Sequence, residues 1–279
     1  MITAVTGLNP EFDPVLLSRI EDAGLNASAP PEQRWLDGWL VRFSGGKAKR
    51  ARCINAVSVG RTSVADKLAL CSALYAQAKL PLVVRVTPFS QPANLDAQLA
   101  DLGMPKLDDT RVMVTASLAA LKAPAVPNGI HIHRADPVQF ANTIGEFRGS
   151  PQSQRAAQAK RSAESPVAFT AFVLKNADGD SLACGQFAIE SEFVGLYDVF
   201  TSPTHRSRGM ASMLCEHMLT TARAAGYSVA YLQVESNNHA ARRIYSRLGF
   251  SDAYRYHYRE MPALPSIVNP IFRRSEFQY

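Results

Sequence analysis

The run Arg206-Ser207-Arg208-Gly209-Met210-Ala211 lies between an apolar stretch, Phe193 to Thr201, and a segment of helical periodicity that continues to Ala225. Where a basic turn feeds a helix, the first N–H groups have no intrahelical acceptor and stand at the positive end of the macrodipole. A glycine there lets a polyanion reach the main chain. The chemistry on offer is capture of a phosphorylated ligand. A second constellation occupies the next helical segment: Asn238-His239-Ala240-Ala241, then Tyr245, then Leu248-Gly249-Phe250. Asn238 is a helix start, Gly249 a helix stop and Phe250 a core anchor. Between them Tyr245 supplies a phenol, which exchanges a proton when suitably placed and otherwise fills a core.

Such groups need a sheet to position them. The proline-rich stretch Ala123 to Gly129 is a boundary. Beyond it the pattern predicts a strand from Ile130 to Arg134 and a helix from the Asp136-Pro137 cap to about Phe147. Gly149 to Glu164 is polar, a mobile loop or a short helix. A hairpin about Asp178-Gly179 joins strands Val167 to Lys175 and Ser181 to Glu190. Phe193 to Thr201 is a third strand, followed by a helix over Gly209 to Ala225, a strand over Val229 to Val234, a helix over Asn238 to Leu248 and a last strand from Tyr254 to Met261. This is an α+β order around one mixed sheet.

The first half repeats the end of that order. Val64 to Lys79 and Leu95 to Leu102 are helical, Leu82 to Val86 and Thr110 to Ala116 extended. A hairpin about Asp37-Gly38 or Ser44-Gly45-Gly46, then Ala51 to Val59, supplies earlier strands. Laying Leu102-Gly103-Met104 on Leu248-Gly249-Phe250 sets an offset of 146, which also brings Ala65 onto Ala211 and Leu68 onto Leu214. We read an internal duplication.

Composition narrows the class. A chain of 279 residues suits two domains better than one. The net charge of +6 is spread, with 14 Lys and Arg against 11 Asp and Glu in residues 1–122. That mild excess suits an anionic small molecule better than nucleic acid. Cys53, Cys71, Cys184 and Cys215 lack metal or disulfide spacing, and His131 and His133 lack partners at ligand spacing, so no metal is expected. With no signal-peptide pattern and no apolar run long enough for a membrane span, the expectation is a cytoplasmic protein with neither membrane nor nucleic-acid partner.

Residues 128–261 resemble the GNAT superfamily of acetyl-CoA-dependent N-acetyltransferases. Arg206, Gly209 and Ala211 fill that family's Gln/Arg-x-x-Gly-x-Gly/Ala signature after a strand. Asn238, Ala241, Tyr245, Gly249 and Phe250 fill its second element. The whole chain is similar to two-domain members in which a degenerate copy, here 1–122, precedes an active one, here 128–261, with 262–279 as an extension. The implied fold is two tandem GNAT-like domains, each a mixed, mostly antiparallel sheet flanked by helices. The resemblance implies that the main chain of Ser207, Arg208, Gly209, Met210 and Ala211 cradles the pyrophosphate of acetyl-CoA, with charge from Arg206 and Arg208. Val199 and Thr201 would pair with the pantetheine arm, Val199 N–H would face the thioester oxygen, and Asn238 and Ala241 would meet the cofactor arm. Tyr245 would protonate the departing thiolate of a direct attack by an amine.

The base is where the chain departs from relatives. Gly195 and Gln233 stand where protein-acetylating members and the ribosomal-protein alanine acetyltransferases, respectively, keep a glutamate. Asp198, Glu190, Glu192 and Glu235 remain, with Asp198 best placed, although strand alternation sets it on the face opposite Gly195 and Tyr197. A water chain to weaker acceptors serves equally. The acceptor is read as a small-molecule amine, with a protein N-terminus as the other choice and a homodimer as a possible assembly. A non-catalytic acyl-CoA sensor or scaffold is the competing class, supported by the missing carboxylate. In the first half, Trp35 and Trp39 are expected to clamp their hairpin onto a core, and Lys47, Lys49, Arg50 and Arg52 to form a solvated loop. Tyr254, Tyr256 and Tyr258 alternate on a half-buried strand or line an acceptor pocket. Under the offset, Ser63, Pro92 and Leu99 replace Gly209, Asn238 and Tyr245, so the first copy is expected not to catalyse.

Overall fold

The computed structural model describes residues 6–46 and 48–262. Lys47 and the extension from 263 to 279 lie outside the described residues. The chain opens with helix α1 (Pro14–Ala27), capped by the Asp13 carboxylate on Val15 N–H and burying Leu17, Ile20 and Ala23 along one stripe. Strands β1 (Glu32–Leu36) and β2 (Trp39–Phe43) form a hairpin about Asp37-Gly38, both at positive φ as a two-residue turn requires. There follow β3 (Ile54–Ala56), α2 (Val64–Gln77), β4 (Val83–Val86), α3 (Leu95–Asp101) and β5 (Lys106–Thr115). The second half holds β6 (Ile130–Ala135), α4 (Pro137–Phe147), α5 (Gln152–Glu164), β7 (Ala168–Asn176), β8 (Ser181–Glu190), β9 (Phe193–Thr201), α6 (Met210–Ala224), β10 (Val229–Glu235), α7 (His239–Arg247) and β11 (Ser251–Glu260).

The offset of 146 holds at the level of elements. It carries the start of α2 onto that of α6, the start of β4 onto that of β10, and the end of α3 onto that of α7. Both helix stops, Gly103 and Gly249, lie at positive φ, and the residues after them, Met104 and Phe250, are buried.

All eleven strands join one mixed sheet in the order β1-β2-β3-β4-β11-β5-β10-β9-β8-β7-β6. The two parallel neighbours, β3–β4 and β9–β10, occupy matching places in the two halves. Beyond each pair the next strand is antiparallel and comes from the other half: β11 lies against β4, and β5 lies against β10. The last strands of the two copies are thus exchanged, and β5 and β11 pair with each other at the centre. The α+β architecture is the expected one, with the two sheets fused by this exchange. Helices α6 and α7 cover β7–β10 around Leu196, Met213, Leu214, Met218, Leu232 and Phe250. Helix α2 packs on Trp39, Val41 and Ile54. Helix α1 lies on the other face, over Phe193, Tyr231, Tyr254 and Tyr256, which come from three strands of the second half.

Several expectations resolve or change. Of the two readings for Gly149 to Glu164, the helix holds: α5 runs for 13 residues. Trp39 is fully buried, but Trp35 is 65% exposed. Leu36 pairs with Trp39 across the turn, so Trp35 and Trp39 take opposite faces of the hairpin and only one clamps the core. Of the two readings for Tyr254, Tyr256 and Tyr258, the half-buried strand holds: all three are buried in the cluster beneath α1, between more exposed neighbours.

Residues 128–279 expressed alone lack β5, leaving the edge of β10 bare and β11 without its central partner. That fragment is expected to aggregate and to recover a cooperative unfolding transition only when residues 1–122 are supplied in trans. A monomeric, cooperatively folded fragment by sedimentation and calorimetry would refute the exchange as a folding requirement.

Candidate active site

Strands β9 and β10 pair from Phe193↔Val229 to Leu196↔Leu232 and no further, although both continue. Tyr197–Thr201, which include Val199 and Thr201, therefore have no register partner on the β10 side. Main chain left open on one side of a strand is a template for an extended ligand. At the end of β9 the chain turns through Arg206, Ser207 (φ 61°), Arg208 and Gly209 (φ 80°) into α6. Gly209 is the N-cap residue, and no side chain caps this helix among the described residues. Arg206 to Gly209 are exposed, Met210 and Ala211 half-buried. A Cβ built on Gly209 meets nothing within 4 Å, so the approach to the helix N-terminus is clear. Alternating left-handed positions before open N–H groups make an anion cradle. The Arg206 guanidinium leans on the Phe200 ring, 5.7 Å from its centroid, beside the cradle.

Tyr245 lies on α7 in the same apolar cluster as Leu196 and Leu232, the last pair before the strands part. It is 9% exposed and packs edge-on to Phe250. Its hydroxyl has no hydrogen-bond partner among the described residues. Burial, with a contribution from Cys215, pushes the phenol's pKa upward, so the proton stays on Oη at neutral pH. Asn238 caps α7, its Oδ1 accepting from Ala241 N–H at 3.1 Å. Only its Nδ2 donor is then left for a ligand.

Asp198 corrects the strand alternation. Between Gln186↔Tyr197 and Cys184↔Phe200, β9 spends one residue more than β8, and Asp198 takes φ 52°. This bulge sets Asp198 on the same face as Tyr197 rather than opposite it. There its carboxylate accepts from Gln186 Nε2 and pairs with Arg148 at the end of α4, both at 3.0 Å. The same face bears a cleft of about 690 Å³ between the two halves, walled by Phe43 to Gly46, by Arg148, and by Gln154 and Arg161 of α5. Asp198 lines it.

The positions without a carboxylate have a structural cause. Tyr197 and Tyr231 hydroxyls meet at 2.8 Å over Gly195, where a Cβ would come within 2.7 Å of Tyr231 Oη. Burial pushes the Tyr197 phenol up to about 12. Gln233 Oε1 accepts from Tyr256 Oη at 2.8 Å and from Arg50 at 3.1 Å. Arg50 is the residue that sequence reasoning missed. Expected in solvent, it reaches from the first half to the second, while Lys49 pairs with Asp108 at 2.8 Å. Glu192 is paired with exposed Arg19, and Glu190 accepts from Asn26 with its other oxygen buried and unpartnered. Among the described residues no cluster of three His, Cys, Asp or Glu is placed to hold a metal, and no helix is long and apolar enough to cross a membrane.

Residues 17–259 match the family model described as "Probable histone acetyltransferase Rv0428c C-terminal". The chain belongs to this family. It is a GNAT-type N-acetyltransferase. The uncharacterized N-acetyltransferase YobR of Bacillus subtilis (strain 168) is 26% identical over 232 residues, 81% of this chain and 91% of that protein. A GCN5-related N-acetyltransferase from Kribbella flavida shares the fold at TM-score 0.66 and 17% identity, covering 89% of this chain and 95% of that one. A tandem GNAT protein from the clavulanic acid biosynthesis pathway does so at TM-score 0.60 and 15% identity, over 72% and 70%.

The corresponding turn of the first half is filled from within. Helix α2 is capped by Ser63, whose Oγ accepts from Asp66 N–H at 3.1 Å. The Asp37 carboxylate accepts from Arg61 N–H, Thr62 N–H and Thr62 Oγ1 at 2.7–2.9 Å, with Lys67 Nζ 3.7 Å away. The hydrogen bonds from Thr62 and Arg61, then Lys67, hold its pKa at about 2. A lowered carboxylate contributes stability that is complete above its unfolded value, near 4, and is lost as pH falls toward the folded value. The difference in urea midpoint between wild type and Asp37→Asn is therefore expected to be constant above about pH 5 and to shrink toward pH 2. A difference independent of pH would show that the carboxylate does not act as an anion there.

Proposed function

We propose that the C-terminal half transfers an acetyl group from acetyl-CoA to a small primary amine in a ternary complex. The observation that carries this reading is the divergence of β9 from β10 directly ahead of an uncapped, glycine-led helix. Open main chain for an extended arm and an anion cradle for a pyrophosphate lie in series along one strand–turn–helix. Acetyl-CoA would supply the activated acetyl group. Ser207 to Ala211, with Arg206 and Arg208, would hold its phosphates, and Val199 and Thr201 its arm, with Val199 N–H facing the thioester oxygen. Nδ2 of Asn238 and the start of α7 at Ala241 would flank the arm. Tyr245 would give its Oη proton to the departing thiolate. Asp198, paired with Arg148 and Gln186, would anchor the acceptor's ammonium at the cleft rather than serve as the base, since both its oxygens are engaged. The proton would leave through water.

The cleft is closed on one side by the first half, which favours a compact acceptor over a protein chain. The first half would complete that wall without binding a second acetyl-CoA, because Asp37 and Ser63 occupy its cradle. The test is thiol release from acetyl-CoA by the full chain against small amines and a lysine-rich peptide. Tyr245→Phe is expected to bind acetyl-CoA as wild type does and to lose turnover by 10²–10⁴-fold. Gly209→Glu, which puts a side chain and a negative charge at the cradle, is expected to abolish binding. Acetyl-CoA binding without release to any amine would instead favour the sensor reading, and turnover of the peptide alone would favour a protein acceptor.

A further inference from the structure

The first half has its own parting of strands. Pairing of β3 with β4 ends at Asn55↔Arg85, and by topology this pair stands where Gly195↔Tyr231 stands in the second half. The chain itself fills the equivalent of the extended-ligand track there, Gln91 N–H donating to Ala56 O at 2.8 Å. What stays open is the other face. A cavity of about 240 Å³ lies between α1 and these strands, lined by Ser18, Glu21, Asp22, Asn55, Arg85 and Phe89. At about 30 Å³ per water it has room for roughly eight waters, or one small organic molecule.

Its inner wall is buried and its polar groups are unequally paired. Asn55, 5% exposed, has Oδ1 buried with no partner among the described residues. Its Nδ2 reaches only Cys53 Sγ at 3.7 Å. Glu21 is satisfied, taking both terminal guanidinium nitrogens of Arg85 and the Tyr254 hydroxyl, while Arg85 Nε is buried without a partner among the described residues. Their charges cancel. Asp22, exposed at the rim, forms no ion pair or hydrogen bond with a described residue, so its carboxylate is left facing the mouth. An unfilled acceptor at the base, a carboxylate at the rim and an aromatic ring on the wall together select a cation that carries N–H donors. A neutral alcohol would satisfy Asn55 but not Asp22, and a quaternary ammonium the reverse.

We propose that this cavity is a second amine site, which binds a small primary alkylammonium ion and does not acetylate it. The ligand's N–H groups meet Asn55 Oδ1 and Asp22, and its alkyl part lies against Phe89 and Leu25. Selection of an ammonium stands on the cavity's own groups. Only the contrast with an acetylating site rests on the function proposed for the second half.

Propylammonium chloride is the probe, titrated into the full-length ¹⁵N-labelled chain at constant ionic strength. Saturable shifts are expected at the Asn55 side-chain amide and at neighbouring backbone amides of β3 and β4. Propanol and tetramethylammonium are expected to bind at least tenfold more weakly. Asp22→Asn, at an exposed position, should weaken binding at least tenfold, and Ser18→Phe, at the rim, should block it. Each should unfold at the wild-type temperature, and neither should alter thiol release at the other site. Shifts that do not saturate, that centre on Asp198 and Arg148, or that survive both variants would overturn the proposal. Absence of thiol release from acetyl-CoA would overturn the transferase reading and leave these shifts in place.

Discussion

The antiparallel pairing of β5 with β11 is the contact on which the rest depends. Each strand ends one half of the chain and completes the sheet of the other, so neither half has a closed set of strands by itself. Through this exchange the two halves are held in fixed register. One consequence is that Arg50 of the first half meets Gln233 and Tyr256 of the second. Another is that the Phe43–Gly46 segment becomes one wall of the cleft that Asp198 lines. A linker joining two separate sheets would fix none of these relations.

The two helix starts show how one backbone solution serves two ends. A cluster of unpaired N–H groups at a helix N-terminus requires an acceptor. In the first half the acceptors are covalently part of the chain: the Asp37 carboxylate at the tip of a hairpin and the Ser63 hydroxyl. An intramolecular anion is always present there at high effective concentration. In the second half Gly209 brings no acceptor, and the turn is exposed. Replacement of a capping side chain by hydrogen at one position separates a self-satisfied turn from an uncapped one.

Much of this was legible in the sequence because it follows from local rules. Hydrophobic period, proline and glycine positions and the Asp136 cap placed nearly every strand and helix of the second half and four elements of the first, and one glycine-anchored offset related the two. The order in which strands lie in the sheet was not legible, because exchange leaves every local pattern unchanged. Composition left helix α5 undecided between loop and short helix: Gln152–Glu164 is rich in Ala, Gln and Lys/Arg, with one buried residue, Ala159, and so lacks an apolar stripe. The bulge at Asp198 had a faint signal, an acidic residue that tolerates positive φ followed by two consecutive apolar residues, Val199 and Phe200. Arg50 had none. A buried arginine and a solvated one read alike until the strand that receives it is known.

The absence of a carboxylate at Gly195 is then a packing outcome with a chemical consequence. Tyr231 projects from β10 onto the face occupied by α1, and its hydroxyl pairs with that of Tyr197 directly over residue 195. Any side chain there would displace the pair, since even a methyl group falls inside contact distance. The same tyrosine layer carries the packing of α1, a helix that both halves need. Negative charge next to the parting of β9 and β10 therefore has to come from elsewhere, and the bulge is what supplies it: by turning Asp198 onto the tyrosine face, it lets Arg148 and Gln186 fix a carboxylate at the cleft. Under the proposed function, an anchor at Asp198 and water would then share what a single glutamate at residue 195 would combine.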